Sequence, residues 1–192
     1  LGPALDRVGA GRCMTFRIDT TRTVIRSWED ADRERFAHIA TDPRVMRYIT
    51  DGRPWSRDEI NAFLTNQRRH VTTSGFCLGA LCLNDARYVV GLCGMQPLGA
   101  TSDVEIGWWL AYEHWGKGLA TEAARGVVDF ARRETKLSRV LSITRPENSA
   151  SVRIMKKLGM QLSGYHTGRE YGLRQPDIKI IAYSLELRPT PT

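Results

Sequence analysis

The chain has 192 residues, 42% of them hydrophobic and 26% charged, which excludes a disordered, collagen-like or disulfide-stapled protein and suits a single domain. No apolar run approaches the ~18–20 residues that span a bilayer, which argues against a membrane protein. Lys and Arg number 28 against 21 Asp and Glu, and the resulting charge of +7 suits anionic partners, a phosphorylated cofactor or nucleic acid among them.

Residues 1–13 contain Gly, Pro and Ala without a continuous apolar stretch. They make a poor secretory signal and are expected to form a mobile extension, with Met14 a candidate start. The domain is expected over 14–188, with 189–192 as a tail. Arg17 to Arg26 alternates loosely and predicts a first strand. Ser27-Trp28-Glu29-Asp30 reads as a helix cap, followed by the stripe Phe36, Ile39 and Ala40. Asp42-Pro43 interrupts that helix, because Pro disfavours helical geometry in the residue before it. Ser56-x-x-Glu59 is a second capping box, opening a helix with Ile60, Phe63 and Leu64 that runs to about Arg69.

Beyond Ser74-Gly75 the period becomes that of strands. Phe76–Leu83 and Tyr88–Met95 are joined by the turn Asn84–Arg87, and a third strand, Val104–Leu110, follows the polar stretch Gly99–Asp103. From Gly118 to Arg133, Ala120, Ala123, Ala124, Val127, Val128 and Ala131 mark a helix with a narrow, close-packing face. Arg139–Ile143 is strand-like, Asn148–Leu158 is a helix closed by Gly159, and strands near Gln161–Tyr165 and Asp177–Leu187 finish the chain. The order β-α-α-β-β-β-α-β-α-β-β, without repeat or linker, predicts one mixed α/β domain. Cys13, Cys77, Cys82 and Cys93 form no C-x-x-C pair and have no close His pair, so a metal site lacks support. Three of them lie in apolar strand segments and read as small buried hydrophobes in a reducing cytoplasm.

The chemistry concentrates in Asp103–Ala124, which reads as a strand, a short turn with Gly116 and Gly118, and a helix start. Successive unencumbered N–H groups at a helix N-terminus form an anion site, and Lys117 adds charge there. The run is neither G-x-x-x-x-G-K-[ST] nor G-x-G-x-x-G, and a Gly-rich turn chosen for backbone geometry alone remains the alternative.

Around that turn the sequence resembles the acetyl-CoA-binding motif of the GNAT N-acyltransferases, [Q/R]-x-x-G-x-[G/A], with Gly118 and Ala120 in the last two positions and Trp115 replacing Gln or Arg. That replacement, between Glu-Ile-Gly-Trp-Trp-Leu and Ala-Thr-Glu-Ala, resembles the RimJ/RimL branch. Arg22-x-x-x-Arg26, Asp42-Pro43-Arg44-Val45-Met46, Asn148-x-x-Ser151 and Lys157-Leu158-Gly159-Met160 carry the resemblance from about Arg22 to Tyr183. It implies a mostly antiparallel sheet with a splayed central strand pair, flanked by helices. It also implies acetyl-CoA or another acyl-CoA, with pyrophosphate on the N–H groups of Trp115, Gly116, Lys117, Gly118, Leu119 and Ala120, and Thr121 beside them. Pantetheine would lie along Trp109 and Leu110 and meet Asn148. The implied acceptor is an amine, either a peptide or protein N-terminus or a small molecule. Nothing in the resemblance calls for a metal or membrane, and a homodimer is left open.

Only a neutral amine attacks a thioester. With a pKa near ~8 for an α-amine and ~10.4 for Lys, a base is needed at neutral pH. On the strand Asp103–Leu110, Val104, Ile106, Trp108 and Leu110 share one face, and Asp103, Glu105, Gly107 and Trp109 the other. Glu105 is the candidate base, through water; the alternative is a carboxylate on a solvated face or paired with Arg. Many family members place a Tyr seven residues after the Asn of the last helix, where this chain has Met155. The resemblance points instead to Ser151 as acid or proton relay, against a plain polar residue early in a helix. N–H groups at Trp109 and Leu110 are candidates for the oxyanion. The histidines show no triad spacing, His114 reads as structural, and Tyr165, Tyr171 and Tyr183 either line the acceptor pocket or pack. Two other readings stay open: an inert acyl-CoA-binding module, which Met155 favours, and nucleic-acid binding, for which the basic residues are too dispersed. Acceptor choice is assigned to the loops around Tyr48–Trp55, Gly99–Asp103 and Tyr165–Gln175.

Overall fold

A computed structural model describes residues 15–85, 88–99 and 101–188. The extension 1–13, the tail 189–192 and half of the turn Asn84–Arg87 therefore lie outside the described residues. Eight strands form one sheet in the order β1-β2-β3-β4-β5-β6-β8-β7. They are β1 (Arg17–Asp19), β2 (Thr23–Arg26), β3 (Leu78–Leu83), β4 (Val89–Pro97), β5 (Val104–Leu110), β6 (Arg139–Thr144), β7 (Gln161–Thr167) and β8 (Lys179–Glu186). The helices are α1 (Arg33–Ala40), α2 (Pro43–Met46), α3 (Arg57–Ser74), α4 (Leu119–Glu134) and α5 (Ser149–Lys157).

Every strand pair is antiparallel except β5 and β6, which run parallel and meet only at Glu105 and Leu141. From that point toward Leu110 and Thr144 the two strands no longer pair, and the sheet opens there. Alternation along β5 then assigns the two faces. Val104, Ile106 and Leu110 join Ala120, Ala123, Ala124, Val127 and Ala131 of α4 in one core, with Trp108 packed against it. Trp109 packs on the opposite core, built from Trp28, Phe36, Ile39, Ile60 and Leu64. The small-residue face of α4 is what allows it to lie close on the sheet: a Cβ at Gly126 would come 2.8 Å from the Thr20 side chain.

The order of elements follows the sequence pattern, with three differences. The stretch Arg17–Arg26 is a hairpin of two short strands, because Thr20 turns the chain by accepting the N–H of Thr23 and donating to its carbonyl. Asp42-Pro43 starts a separate one-turn helix, in which Asp42 caps the N–H of Arg44. The helix that opens at Ser56 continues past Arg69 to Ser74, where Gly75 at φ +78° takes the left-handed closing position. Arg26 links this side of the molecule together: its guanidinium grips both oxygens of buried Asp32, at 2.7 and 2.8 Å.

Candidate active site

The turn after β5 is built mainly from main-chain groups. Residues 112–114 form a short 3-10 turn, and the N–H of Trp115 is taken by the Tyr112 carbonyl. That differs from the sequence expectation, since Trp115 has no N–H left for an anion. Its indole instead anchors the turn, Nε1 donating to the Leu110 carbonyl at 2.8 Å. The N–H groups of Gly116, Lys117 and Gly118 have no backbone partner among the described residues, and those of Leu119 and Ala120 belong to the unpaired first turn of α4. Gly116 and Gly118 adopt φ +74° and +77°, which side chains rarely tolerate, and a Cβ on Gly116 would meet nothing within 4 Å. The space beside Gly116 is therefore open. Leu119 and Ala120 are buried, so only their backbone is available; Lys117 is exposed and Thr121 half-buried.

Arg22 fastens the turn from β2's side of the sheet. Its Nη1 donates to the Lys117 carbonyl at 3.0 Å and its Nε to Glu122 at 2.6 Å. The nearest heavy atom to a Cβ on Gly118 would be Arg22 Nη2, at 3.6 Å. Burial pushes Glu122 up, but the bonds from Arg22 and Thr20 outweigh it and hold the carboxylate low. A guanidinium and a helix N-terminus thus face the same space.

Beside this turn the sheet is open. Ala111 donates its N–H to Val90 on β4, and strand alternation turns the N–H of Leu110 the other way, into the gap between β5 and β6. By the same alternation the N–H of Trp109 faces β4, so of the two oxyanion candidates Leu110 points into the gap.

Glu105 stands where the gap closes, opposite Leu141. Its Oε1 accepts Gln96 Nε2 at 2.6 Å, and Oε2 has no partner among the described residues. Burial raises its pKa, partly offset by the Gln96 bond. Across the gap, Asn148 caps α5: its side chain accepts the N–H of Ser151 and donates to Thr144 Oγ1 and Ser151 Oγ, both at 3.0 Å. Both amide protons of Asn148 are thereby used within the protein, and its side-chain oxygen, which already accepts the Ser151 N–H, has one lone pair left for any further contact. Ser151 Oγ accepts a hydrogen bond, so its own proton is free to be donated.

The remaining candidates differ in burial. Met155 is buried with Met160, Ile181 and Tyr183, and Tyr171 packs with Leu98 and Leu141, whereas Tyr165 is exposed. His114 is buried, and that burial lowers its pKa, as a structural histidine's would be. Cys77, Cys82 and Cys93 are buried free thiols, and burial pushes Cys77 and Cys93 up to about 12. No group of three His, Cys, Asp or Glu capable of holding a metal occurs among the described residues. No described helix is long and apolar enough to cross a membrane.

On the face of β5 that carries Glu105, the fold brings together side chains from distant segments, of which Arg145, Gln67 and Gln96 were not singled out by the sequence. Trp109 stacks with Phe36 and Phe63 and meets Trp55 edge-on, with centroids 5.0 Å apart. Arg145, just after β6, donates to the Thr50 carbonyl at 2.9 Å and ties the Tyr48–Trp55 loop to the sheet. Thr50 adopts φ +45°, an uncommon value for a β-branched residue. Arg174 lies 3.6 Å from Glu59, an ion pair that links the β7–β8 connection to α3. Gln67 of α3 donates to Gln96 of β4 at 2.8 Å. Of the residues not named from the sequence, Gln67 carries a legible signal, as a polar residue in the apolar series Ile60, Leu64, Gln67, Val71.

Residues 22–161 match the acetyltransferase (GNAT) domain family. A probable N-acetyltransferase of Bacillus subtilis, YjcK, is 42% identical over 132 residues, which cover 68% of each chain. The ribosomal protein uS5-alanine N-acetyltransferase of Escherichia coli K12 is 26% identical over 161 residues, 78% of this chain and 80% of that one. The crystal structure of a GNAT-family acetyltransferase from Bacillus anthracis superposes with a TM-score of 0.75 at 25% identity, covering 90% of this chain and 99% of that one. The chain belongs to the GNAT acetyltransferase family. It is an acetyl-CoA-dependent N-acetyltransferase, and its relatives include an enzyme that acetylates a ribosomal protein.

Proposed function

We propose that the protein transfers acetyl from acetyl-CoA to a primary amine by direct attack in a ternary complex, with the α-amine of a peptide or protein as the first acceptor class to test. The cradle from Gly116 to Ala120, with Arg22 beside it, suits the cofactor's pyrophosphate, and the strand edge at Leu110 suits its pantetheine arm. Glu105 takes the proton from the ammonium, through water, and releases the neutral amine. The amine nitrogen bonds to the thioester carbon while the Leu110 N–H faces the developing oxyanion. The C–S bond then breaks, and the CoA thiolate receives a proton by way of Ser151, whose hydroxyl is left free to donate. Three buried free thiols support a reducing, cytoplasmic setting.

The observation that carries this reading is Glu105: a carboxylate with one oxygen that has no partner among the described residues, at the apex where β5 and β6 part. The acceptor class is supported by the relative that acetylates a ribosomal alanine. The test is a pH–rate profile from about pH 6 to 9.5 for the wild type and Glu105→Gln with one amine. Gln keeps the size and accepts the Gln96 bond but cannot take a proton. A loss of ~10²–10⁴ that shrinks toward the acceptor's pKa, with acetyl-CoA binding retained, is expected. Parallel profiles separated by a small constant factor would remove Glu105 from the mechanism.

A further inference from the structure

Glu105 does not reach its position unaided. Its Oε1 is held by Gln96 Nε2, Gln96 Oε1 accepts Gln67 Nε2 at 2.8 Å, and Gln67 Oε1 accepts the backbone N–H of Leu78 at 2.8 Å. The chain thus crosses from β3 to α3, back to β4 and on to β5. An amide side chain can ordinarily be turned end for end, but here the sense is imposed from one end. A backbone N–H can only donate, so Gln67 must present its oxygen to Leu78 and its NH₂ to Gln96. Gln96 must then present its oxygen to Gln67 and its NH₂ to Glu105. Gln67 is 1% exposed, a position that ordinarily takes an apolar residue on this helix face, and burying an amide there is tolerable only because both its ends are bonded.

We infer that Gln67 and Gln96 are positioning residues for Glu105, a relay of fixed polarity that locks one carboxylate oxygen and leaves the other facing the gap between β5 and β6. The inference rests on the reading of Glu105 as the base. The donor at the end of the relay favours the ionised carboxylate against the burial that disfavours it. Among the described residues no charged group forms an ion pair or hydrogen bond with Glu105. On this face α3 offers Gln67, β4 offers Gln96 and β6 offers Leu141, while the nearest acid on β5, Asp103, is bonded to Arg139 at 2.8 Å.

Gln96→Met and Gln67→Met keep the volume and remove the amide. Both are expected to bind acetyl-CoA as the wild type does and to lose kcat, by about tenfold for Gln96→Met and severalfold for Gln67→Met, which touches neither Glu105 nor the gap. In both, the limb of the pH–rate profile on which activity rises with pH should move to higher pH, because Gln96→Met removes the donor to the charged form of Glu105 and Gln67→Met releases the orientation of that donor. A purely structural role would lower stability and leave the limb in place. Carboxyl carbon NMR of Glu105 in the full chain gives the same titration without turnover, and Gln96→Asn, too short to reach, substitutes if a Met variant fails to fold. Folded variants in which Glu105 titrates at the wild-type pH overturn the relay even if Glu105→Gln abolishes activity. If Glu105→Gln is instead harmless, the base reading fails, and an upward titration shift in Gln96→Met still upholds the relay's hold on Glu105.

Discussion

The two sides of β5 solve different problems by different means. On the α4 side, the groups suited to the cofactor come from one unbroken run, Gly116 to Ala120, and are backbone N–H groups made available by two left-handed glycines. Arg22 is the one distant side chain that completes it. On the opposite side, Trp109, Trp55 and Phe63 form the wall, Arg145 ties the Thr50 loop, and Glu105 depends on Gln96 and Gln67. These residues come from β5, α3, β4 and the connections after α2 and β6. Phosphate recognition needs a density of N–H donors, which any short turn can offer. Acceptor recognition and proton transfer need particular side chains converging on one point, which only packing of distant segments supplies.

If that contrast is right, changes on the two sides should fail differently. The largest effect is expected from Gly118→Glu, which forces a side chain into φ +77° and places a carboxylate where phosphate would lie. Its Cβ would make only ordinary contact with Arg22, so the fold should survive while calorimetry detects no acetyl-CoA binding. Wild-type affinity in that variant would place the cofactor elsewhere. Arg26→Ala, which strands the buried Asp32 carboxylate at the root of α1, should cost about 3–5 kcal/mol in urea unfolding. A cost under 1 kcal/mol would show that the acceptor side does not depend on this pair. Ser151→Ala should lower kcat by about 10², roughly 2.7 kcal/mol, with the acetyl-CoA KM little changed. An unchanged kcat at saturating acetyl-CoA would reduce Ser151 to a helix-start residue. The smallest change is expected for Arg22→Gln, since Arg22 is half exposed and salt screens it. A few-fold rise in the acetyl-CoA KM that shrinks with added salt is the expected outcome, and no change at low salt would limit Arg22 to bracing the turn.

Gln67 shows where reading by pattern reaches its end. The α3 stripe is plain in the sequence, and a polar residue within it is visible, but the pattern does not say whether that residue meets solvent, water or another amide. Gln96, 29 positions away, becomes its partner only because β4 passes beneath α3. The Arg17–Arg26 hairpin was missed for a related reason: its turn is made by a Thr–Thr hydrogen bond rather than by Gly, Pro or Asn, so no breaker marks it. Trp115 is a third case. Its position in the motif is legible, while its use as an indole anchor with a spent N–H depends on how tightly the chain turns after Leu110.

By itself, the sequence determined most of the elements and their order, the alternation that separates Glu105 from Ile106 and the glycine turn at the start of α4, because each is set by periodicity or by contacts within a few residues. The tertiary structure alone decided that β5 and β6 part at Glu105 and Leu141, that Arg22 closes on Lys117 and Glu122, and that Trp55, Arg145 and the two glutamines converge on the far side. Those arrangements join residues tens of positions apart. They follow from which faces must be buried together once the sheet has formed, a constraint that no local pattern records.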